Sequence, residues 1–372
     1  MKVLTLLGTR PEIIRLSLII EKLDRLCDHV LVHTGQNFDA SLSDVFFAEL
    51  GVRAPDEFLG VRGASPAEQI GQILVGCERV FAERRPDRLL ILGDTNSALG
   101  AIVAKRMAIP VFHMEAGNRC FDDRVPEETN RRIIDHSSDI LLPYTEHSRR
   151  HLLREGFPDN RIYVTGNPIT EVIQRWRPRI NEAEALHRLG LDPRRYLLVT
   201  MHRAENVDVE DRLRALIDSV TTLQARLGVP AIVSTHPRTR ARMEAFGLAP
   251  DNGGVRFLPP FGFVDFVALE ANALCVLSDS GTVQEECAIL GTPNVTIRDT
   301  TERPETVECG SNFISGVTRD GILAAADIVL DLPPDWQASD PYRKANVSDT
   351  VVRIVLGHHA TVAGPGAAGF RG

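Results

Sequence analysis

Nowhere in the 372 residues does an apolar run approach the roughly 20 residues that a membrane-crossing helix needs, so no such helix is expected. Positive charge is not in excess either. Lys and Arg number 42 against 50 Asp and Glu, a net charge of -8. That balance argues against a binder of nucleic-acid backbone and leaves room only for a local basic pocket for a phosphorylated small molecule. The six cysteines, Cys27, Cys77, Cys120, Cys275, Cys287 and Cys309, form no C-x-x-C pair. Neither a zinc site nor a disulfide framework is expected from them, and reduced thiols of a cytoplasmic protein are the plain reading. The opening MKVLTLLGTRPE has too short an apolar part, and no small-residue cleavage site after it, to be a secretion signal.

What is present fits a soluble globular α/β protein, 43% hydrophobic and 25% charged. The length exceeds what one core usually serves, so two domains are expected. Residues 2–7 are a continuous Val- and Leu-rich run, the mark of a parallel strand buried on both faces. Gly8-Thr9-Arg10 turns, Thr9 is placed to cap, and Pro11-Glu12 opens a helix with Leu16, Ile19, Ile20, Leu23 and Leu26 on its inner face. Further strands are expected at 29–34, 88–92, 110–114, 140–143 and 161–165, alternating with helices that include 65–85 and 97–107: a doubly wound parallel sheet. A second alternation follows, with strands at 196–200, 231–234, 255–258, 274–277 and 294–297. The expected division is 1–167 for an N-terminal Rossmann-like domain, 168–357 for a C-terminal one, and 358–372, small and Gly-rich, as a disordered tail.

In open α/β sheets ligands bind beyond the carboxyl ends of the strands. Three acidic residues of the first alternation fall at or near such ends: Asp94 in GDTN, Glu115 in HMEAGNR, and Glu127 in the PEETNRR helix start that follows. On its own, Asp94 reads first as a plain helix cap. Arg131, Arg132 and Asp135 read as a solvated mixed-charge face. Cys120 lies in the same loop, without a nucleophile motif around it. Arg10 sits where a helix N-terminus would hold an anion and could clamp phosphate or carboxylate, or pair with a protein carboxylate. In the second alternation a strand ends in Ser280-Gly281-Thr282 and a helix starts there, a place for a diphosphate on backbone N–H groups. Glu285 and Glu286 follow on that helix, where a carboxylate suits ribose hydroxyls better than phosphate. His202 in TMHR and His236 in STHPR stand at strand ends, and Arg303 lies just beyond 294–297. GTRP is not the dinucleotide G-x-G-x-x-G, which argues against a nicotinamide cofactor.

GTRPE at 8–12, GDTN at 93–96, HMEAGNR and PEETNRR within 111–136, HR at 202–203, DSGTVQEE at 279–286 and RDTTERPE at 298–305 together resemble the non-hydrolysing UDP-N-acetylglucosamine 2-epimerases, in the same order from residue 1 to about 355. The resemblance implies GT-B architecture, two Rossmann-like domains facing across a cleft, and a homodimer working without metal or redox cofactor. It assigns Asp94, Glu115, Glu127 and His202 to acid/base work. It assigns Arg10, Phe266, Ser280, Gly281, Thr282 and Glu286 to the UDP-sugar, with Glu286 on the ribose and Phe266 near the uracil; from their positions His236 is a further candidate, and Arg303 reads as a phosphate or sugar contact or as a surface salt bridge. Phe266 reads equally as a core aromatic, and Thr282 replaces the second glycine of the family's Ser-Gly-Gly. C2 of an N-acetylhexosamine is not next to a carbonyl. The implied route therefore expels UDP from C1, removes the C2 proton to leave 2-acetamidoglucal, and re-adds UDP with the proton on the other face.

Several stretches, among them HTGQNFD and STHPRTR, look like the branch that forms UDP-N-acetyl-L-fucosamine from its talose epimer. A GT-B glycosyltransferase is the other alternative, and it would not need the three carboxylates together. Many bacterial members carry an effector site for UDP-GlcNAc built partly from a Gln-His-x-x-Met-like run. Here that run is Gln36-Asn37-Phe38-Asp39-Ala40, lacking the His and adding a negative charge, so obligatory activation is not expected.

Overall fold

A computed structural model describes residues 1–36, 40–248 and 253–359. The chain divides into two compact units: Met1–Val172 together with the segment from Lys344 onward, and Ile173–Arg343 between them.

The first unit is built on β1 (Lys2–Leu7), β2 (Asp28–His33), β3 (Glu57–Phe58), β4 (Arg88–Leu92), β5 (Val111–Met114) and β6 (Ile140–Leu142). They are all parallel, in the order β3-β2-β1-β4-β5-β6. Five of the six residues of β1 are buried without alternation, because helices cover both faces of the sheet. The helix Arg10–Leu26 sets Ile13, Leu16, Ile19, Ile20 and Leu23 inward at helical spacing. On this order the winding reverses between β1 and β4. The exits of those strands, Gly8–Arg10 and Gly93–Asn96, therefore lie at the switch point where such sheets bind ligands.

The second unit repeats the plan with β7 (Leu197–Thr200), β8 (Ala231–Ser234), β9 (Val255–Leu258), β10 (Cys275–Ser278), β11 (Asn294–Thr296) and β12 (Asn312–Ile314), in the order β12-β11-β10-β7-β8-β9. Its core includes Leu197, Val199, Leu216, Val233 and Leu277. The reversal falls between β7 and β10, so their exits at Met201–Arg203 and Asp279–Thr282 occupy the corresponding place. Two Rossmann-like folds in one chain are the pair that defines the GT-B class.

The architecture departs from the sequence expectation in three places. First, β3 and β12 complete the two sheets, and neither is long enough to show a period. Second, 161–165 is not a strand. Residues 159–161 make a 3-10 turn, and only Ile162 bridges to Leu141. The N–H groups of Tyr163 and Thr165 still reach the carbonyls of Leu141 and Pro143, but a proline donates nothing back to extend a ladder. Third, the C-terminal segment does not stay with the second unit. The helix Val347–Leu356 packs on Arg10–Leu26. Ser348 N–H donates to Glu171 at 2.8 Å, Lys22 reaches Ser348 and Asp349 at 2.7 Å each, and Arg88 donates to the carbonyls of Val355 and Gly357. The tail expected to be disordered lies, from residue 360, outside the described residues, as do Asn37, Phe38 and Asp39 of the suspected effector run.

Candidate active site

The first unit gathers its site residues at three strand exits. At β1, Gly8 is obligatory: a Cβ there would stand 2.1 Å from Ser97 Oγ and 2.2 Å from Thr34 Oγ1. Thr9 does not cap the helix with its side chain. Its hydroxyl donates instead to Glu12 Oε2 at 2.8 Å, joined by the N–H of Gly8 at 3.0 Å, while Thr95 Oγ1 donates to Glu12 Oε1 at 3.1 Å. Glu12 is buried, and desolvation outweighs these bonds to push its carboxyl up to about 7. Arg10 is half-buried, its guanidinium 5.7 Å from the Phe46 ring centroid.

At β4, Asp94 is not a cap. Arg131 holds its Oδ2 from Nε at 2.8 Å and Nη2 at 2.7 Å, and Asn130 bonds its carbonyl at 3.0 Å. At β5, Glu115 takes φ +64°, a backbone conformation that L side chains seldom adopt and that concentrates at functional positions. Arg15 donates to its Oε2 at 2.7 Å and Asn118 to its Oε1 at 3.2 Å, both in the interior. Gly117 at φ +78° completes the turn, since a Cβ there would lie 2.4 Å from the Ser148 carbonyl. β4 and β5 are adjacent, with Leu92 opposite Met114, so Asp94 and Glu115 project from neighbouring strand ends.

Glu127 and Glu128 divide. Glu127 is half-buried at the second position of the helix Pro126–His136. Glu128 is buried and ties down the loop before it, accepting from the N–H groups of Cys120 and Phe121 at 3.1 Å each and from Arg131 at 2.7 Å. Burial alone would raise its carboxyl. The Cys120 N–H, Arg131 and the Phe121 N–H outweigh burial and hold it below the ordinary value. Arg131 and Asp135, expected on a solvated face, are buried as well. Asp135 takes His113 at 2.8 Å, Arg119 at 2.8 Å and the Gly117 N–H at 3.1 Å.

In the second unit, Asp279 is the hub of the β7 and β10 exits. Fully buried, it accepts from the N–H groups of His202 at 3.0 Å and Arg203 at 2.9 Å and from the Asn206 amide at 3.2 Å. The His202 ring Nδ1 lies 3.3 Å from its Oδ1. His236 stands beside His202, ring centroids 5.7 Å apart. Ser280 precedes the helix Gly281–Leu290, and its hydroxyl meets that of Thr282 at 2.9 Å. At Gly281 a Cβ would stand 2.7 Å from Glu302 Oε1, so the glycine leaves that carboxylate in place.

Arg303 is buried and its Nε donates to Glu285, while Glu302 takes Arg298 at 2.9 Å and Arg203 at 3.4 Å. Alternating charge of this kind lets several ions share the interior. Phe266 packs on the cluster around Leu191, Tyr196 and Leu198. Glu286 is buried next to Glu270. Burial, then the charge of Glu286, raises the Glu270 carboxyl well above its ordinary value.

Glu12, Arg15, Glu128, Arg131, Asp279 and Glu270 were not singled out from sequence. A signal existed for the set on Pro126–His136: Glu128, Arg131 and Asp135 recur at intervals of three and four with Ile134, the spacing of a buried face. The Thr95 contact of Glu12 and the partners of Asp279 come from elsewhere in the chain and leave no local mark.

The family model for UDP-N-acetylglucosamine 2-epimerase matches residues 21–356. The UDP-N-acetylglucosamine 2-epimerase of Methanocaldococcus jannaschii is 38% identical over 363 residues, covering 95% of this chain and 99% of the relative. Its crystal structure in complex with UDP-GlcNAc and UDP matches with a TM-score of 0.91 over the same shares of the two chains. The structure of the Rickettsia bellii UDP-N-acetylglucosamine 2-epimerase is 42% identical with a TM-score of 0.89, over 96% of each chain. The Pseudomonas aeruginosa UDP-2,3-diacetamido-2,3-dideoxy-D-glucuronate 2-epimerase is 36% identical over 332 residues, covering 88% of this chain and 91% of the relative. With the family model and full-length relatives in agreement, the chain belongs to the UDP-N-acetylglucosamine 2-epimerase family of isomerases.

Proposed function

We propose that the protein is a non-hydrolysing 2-epimerase of a UDP-N-acetylhexosamine, interconverting UDP-GlcNAc and UDP-ManNAc, and that it acts as a cytoplasmic homodimer. The observation that carries the reading is the pair of carboxylates at the ends of adjacent strands, Asp94 on Arg131 and Glu115 on Arg15. Epimerisation needs a base on one face of C2 and an acid on the other, with the two roles exchanged for the reverse reaction. Two carboxylates, each fixed by its own arginine, hold a set geometry for such work, and half-buried Glu127 adds a third.

His202, braced by Asp279, and the start of the helix Gly281–Leu290 supply the polar surroundings that a departing diphosphate needs. Glu286 suits the ribose hydroxyls. Loss of UDP from C1 with removal of the C2 proton gives 2-acetamidoglucal, and re-addition of UDP with protonation of the opposite face gives the epimer. The group that accepts a proton in one direction donates one in the other, so the pair's protonation is restored over a forward and reverse cycle.

The test is conversion of a UDP-sugar alone in deuterated water, followed by NMR with a panel of UDP-GlcNAc, its 6-deoxy relative and the 2,3-diacetamido uronate. Turnover without an acceptor and deuterium at C2 of the product are expected. Epimerisation with the C2 proton retained would refute the elimination route, and a requirement for an acceptor would mark a glycosyltransferase. Asp94→Asn and Glu115→Gln should each lower kcat about a hundredfold or more with UDP still bound, and near-normal turnover in Glu115→Gln would contradict its role.

A further inference from the structure

We propose that Glu12 is a positioning residue whose ionised carboxylate fastens the turn carrying Arg10 to the loop carrying Asp94. The inference rests on the 2-epimerase reading for its activity readout. Glu12 lies in the first turn of the helix Arg10–Leu26 and is 1% exposed. Its Oε2 gathers the Gly8 N–H and the Thr9 hydroxyl, both on its own turn, at 3.0 and 2.8 Å. Its Oε1 takes the hydroxyl of Thr95, 83 residues away in sequence, at 3.1 Å. One carboxyl thus spans the switch point between β1 and β4, with Arg10 two residues before it on one side and Asp94 directly before Thr95 on the other.

The donors that hold it are neutral. The charged groups on the same elements are engaged elsewhere: Arg15 with Glu115, Asp94 with Arg131, and Arg10 against the Phe46 ring. A carboxylate can accept from all of these donors at once, the Thr9 N–H among them. A carboxylic acid cannot, because its own O–H must turn one contact round. The contact that can reverse is Thr95, whose hydroxyl also accepts. The N–H of Gly8 has no such freedom, and the Thr9 hydroxyl shares Oε2 with it. Protonation therefore acts on the link between the two loops and spares the link within the turn. With the carboxyl pushed up to about 7 by burial, that change falls in the neutral range.

The experiment compares wild type, Thr95→Val, Thr95→Ser and Glu12→Gln across about pH 5 to 9, measuring kcat and KM for the UDP-sugar, UDP affinity and melting temperature. The Glu12 carboxyl is followed separately by isotope-edited infrared titration, as wild type minus Glu12→Gln. In wild type, kcat/KM should fall as pH drops through the Glu12 titration. Thr95→Val removes a donor that favours the charged form, so its limb should move to higher pH. Its kcat should fall about tenfold while UDP affinity stays within about twofold. Thr95→Ser should restore both, and Glu12→Gln should be slow with that limb gone.

A Thr95→Val enzyme with the wild-type pH profile, or a Glu12→Gln enzyme that keeps the limb and loses only melting temperature, would overturn the proposal. Should no UDP-sugar be epimerised by wild type, the functional reading fails on its own. The infrared titration then still decides: a Glu12 carboxyl unmoved by Thr95→Val would overturn the positioning.

Discussion

Glu127 and Glu128 are adjacent, chemically identical and expected to fail in different ways. In Glu128→Gln the side chain keeps one acceptor oxygen and gains an N–H pair. The native carboxylate serves two backbone N–H groups on its two oxygens, those of Cys120 and Phe121, as well as Arg131. The amide nitrogen must therefore face at least one of those donors. Leaving one buried donor unsatisfied costs about 1–3 kcal/mol, and breaking one side of a buried ion pair costs about 3–5 kcal/mol. Arg131 keeps Asp94, which places the sum near the lower end, about 3 kcal/mol. For a unit of this size that is a fall of roughly 6–12 °C in the melting temperature of the first unit. Glu127→Gln, at a half-buried position, should stay within about 0.5 kcal/mol while losing kcat about a hundredfold. Differential scanning calorimetry and initial rates on both variants make the comparison. Equal melting temperatures in Glu128→Gln and wild type would refute the structural role of Glu128, and unimpaired turnover in Glu127→Gln would refute the assignment of its neighbour.

Two further outcomes are expected. Glu12 titrates from about 7 in the folded protein against 4.5 when unfolded, so the unfolded chain releases its proton first as pH rises. The stability tied to this group is therefore whole below 4.5 and lost progressively up to about 7, a change of about 3 kcal/mol. The difference in denaturation free energy between wild type and Glu12→Gln should show that slope, and parallel curves from pH 4 to 8 would refute it. Separately, the sequence around Gln36 lacks the residues of the family's effector site, so reverse-direction substrate should turn over from time zero without added UDP-GlcNAc. A lag abolished by a trace of UDP-GlcNAc would refute that.

The placing of Asp94, Glu115, His202 and Ser280–Thr282 at strand exits was legible in the sequence because each stands where an apolar run stops, and parallel strands mark their own carboxyl ends. The residues that hold them could not be found in the same way. Arg131 looks like any charged residue on a helix until Asp94 arrives from β4, and Asp279 looks like part of a turn until three donors from the β7 exit converge on it. Thr9 misled because a Thr before Pro-Glu favours a cap, whereas the carboxyl three residues on took its hydroxyl first. The short strands β3 and β12 depend on a neighbouring strand for their conformation, and two or three residues carry no period of their own.

The return of residues 344–357 to the first unit has a consequence for how the chain is made. Synthesis runs from the N-terminus, and domains usually fold as they emerge. Here the unit that starts first is the last to be finished. When Arg343 leaves the ribosome, every residue of the second unit is present. Helix Arg10–Leu26 still lacks the covering of Val347, Val351 and Val355, and Arg88 has no carbonyls to clasp. The older half must wait, partly uncovered, for the length of the younger one. A stop codon just after Arg343 would then damage a part of the protein more than 300 residues upstream, while leaving intact the part it follows.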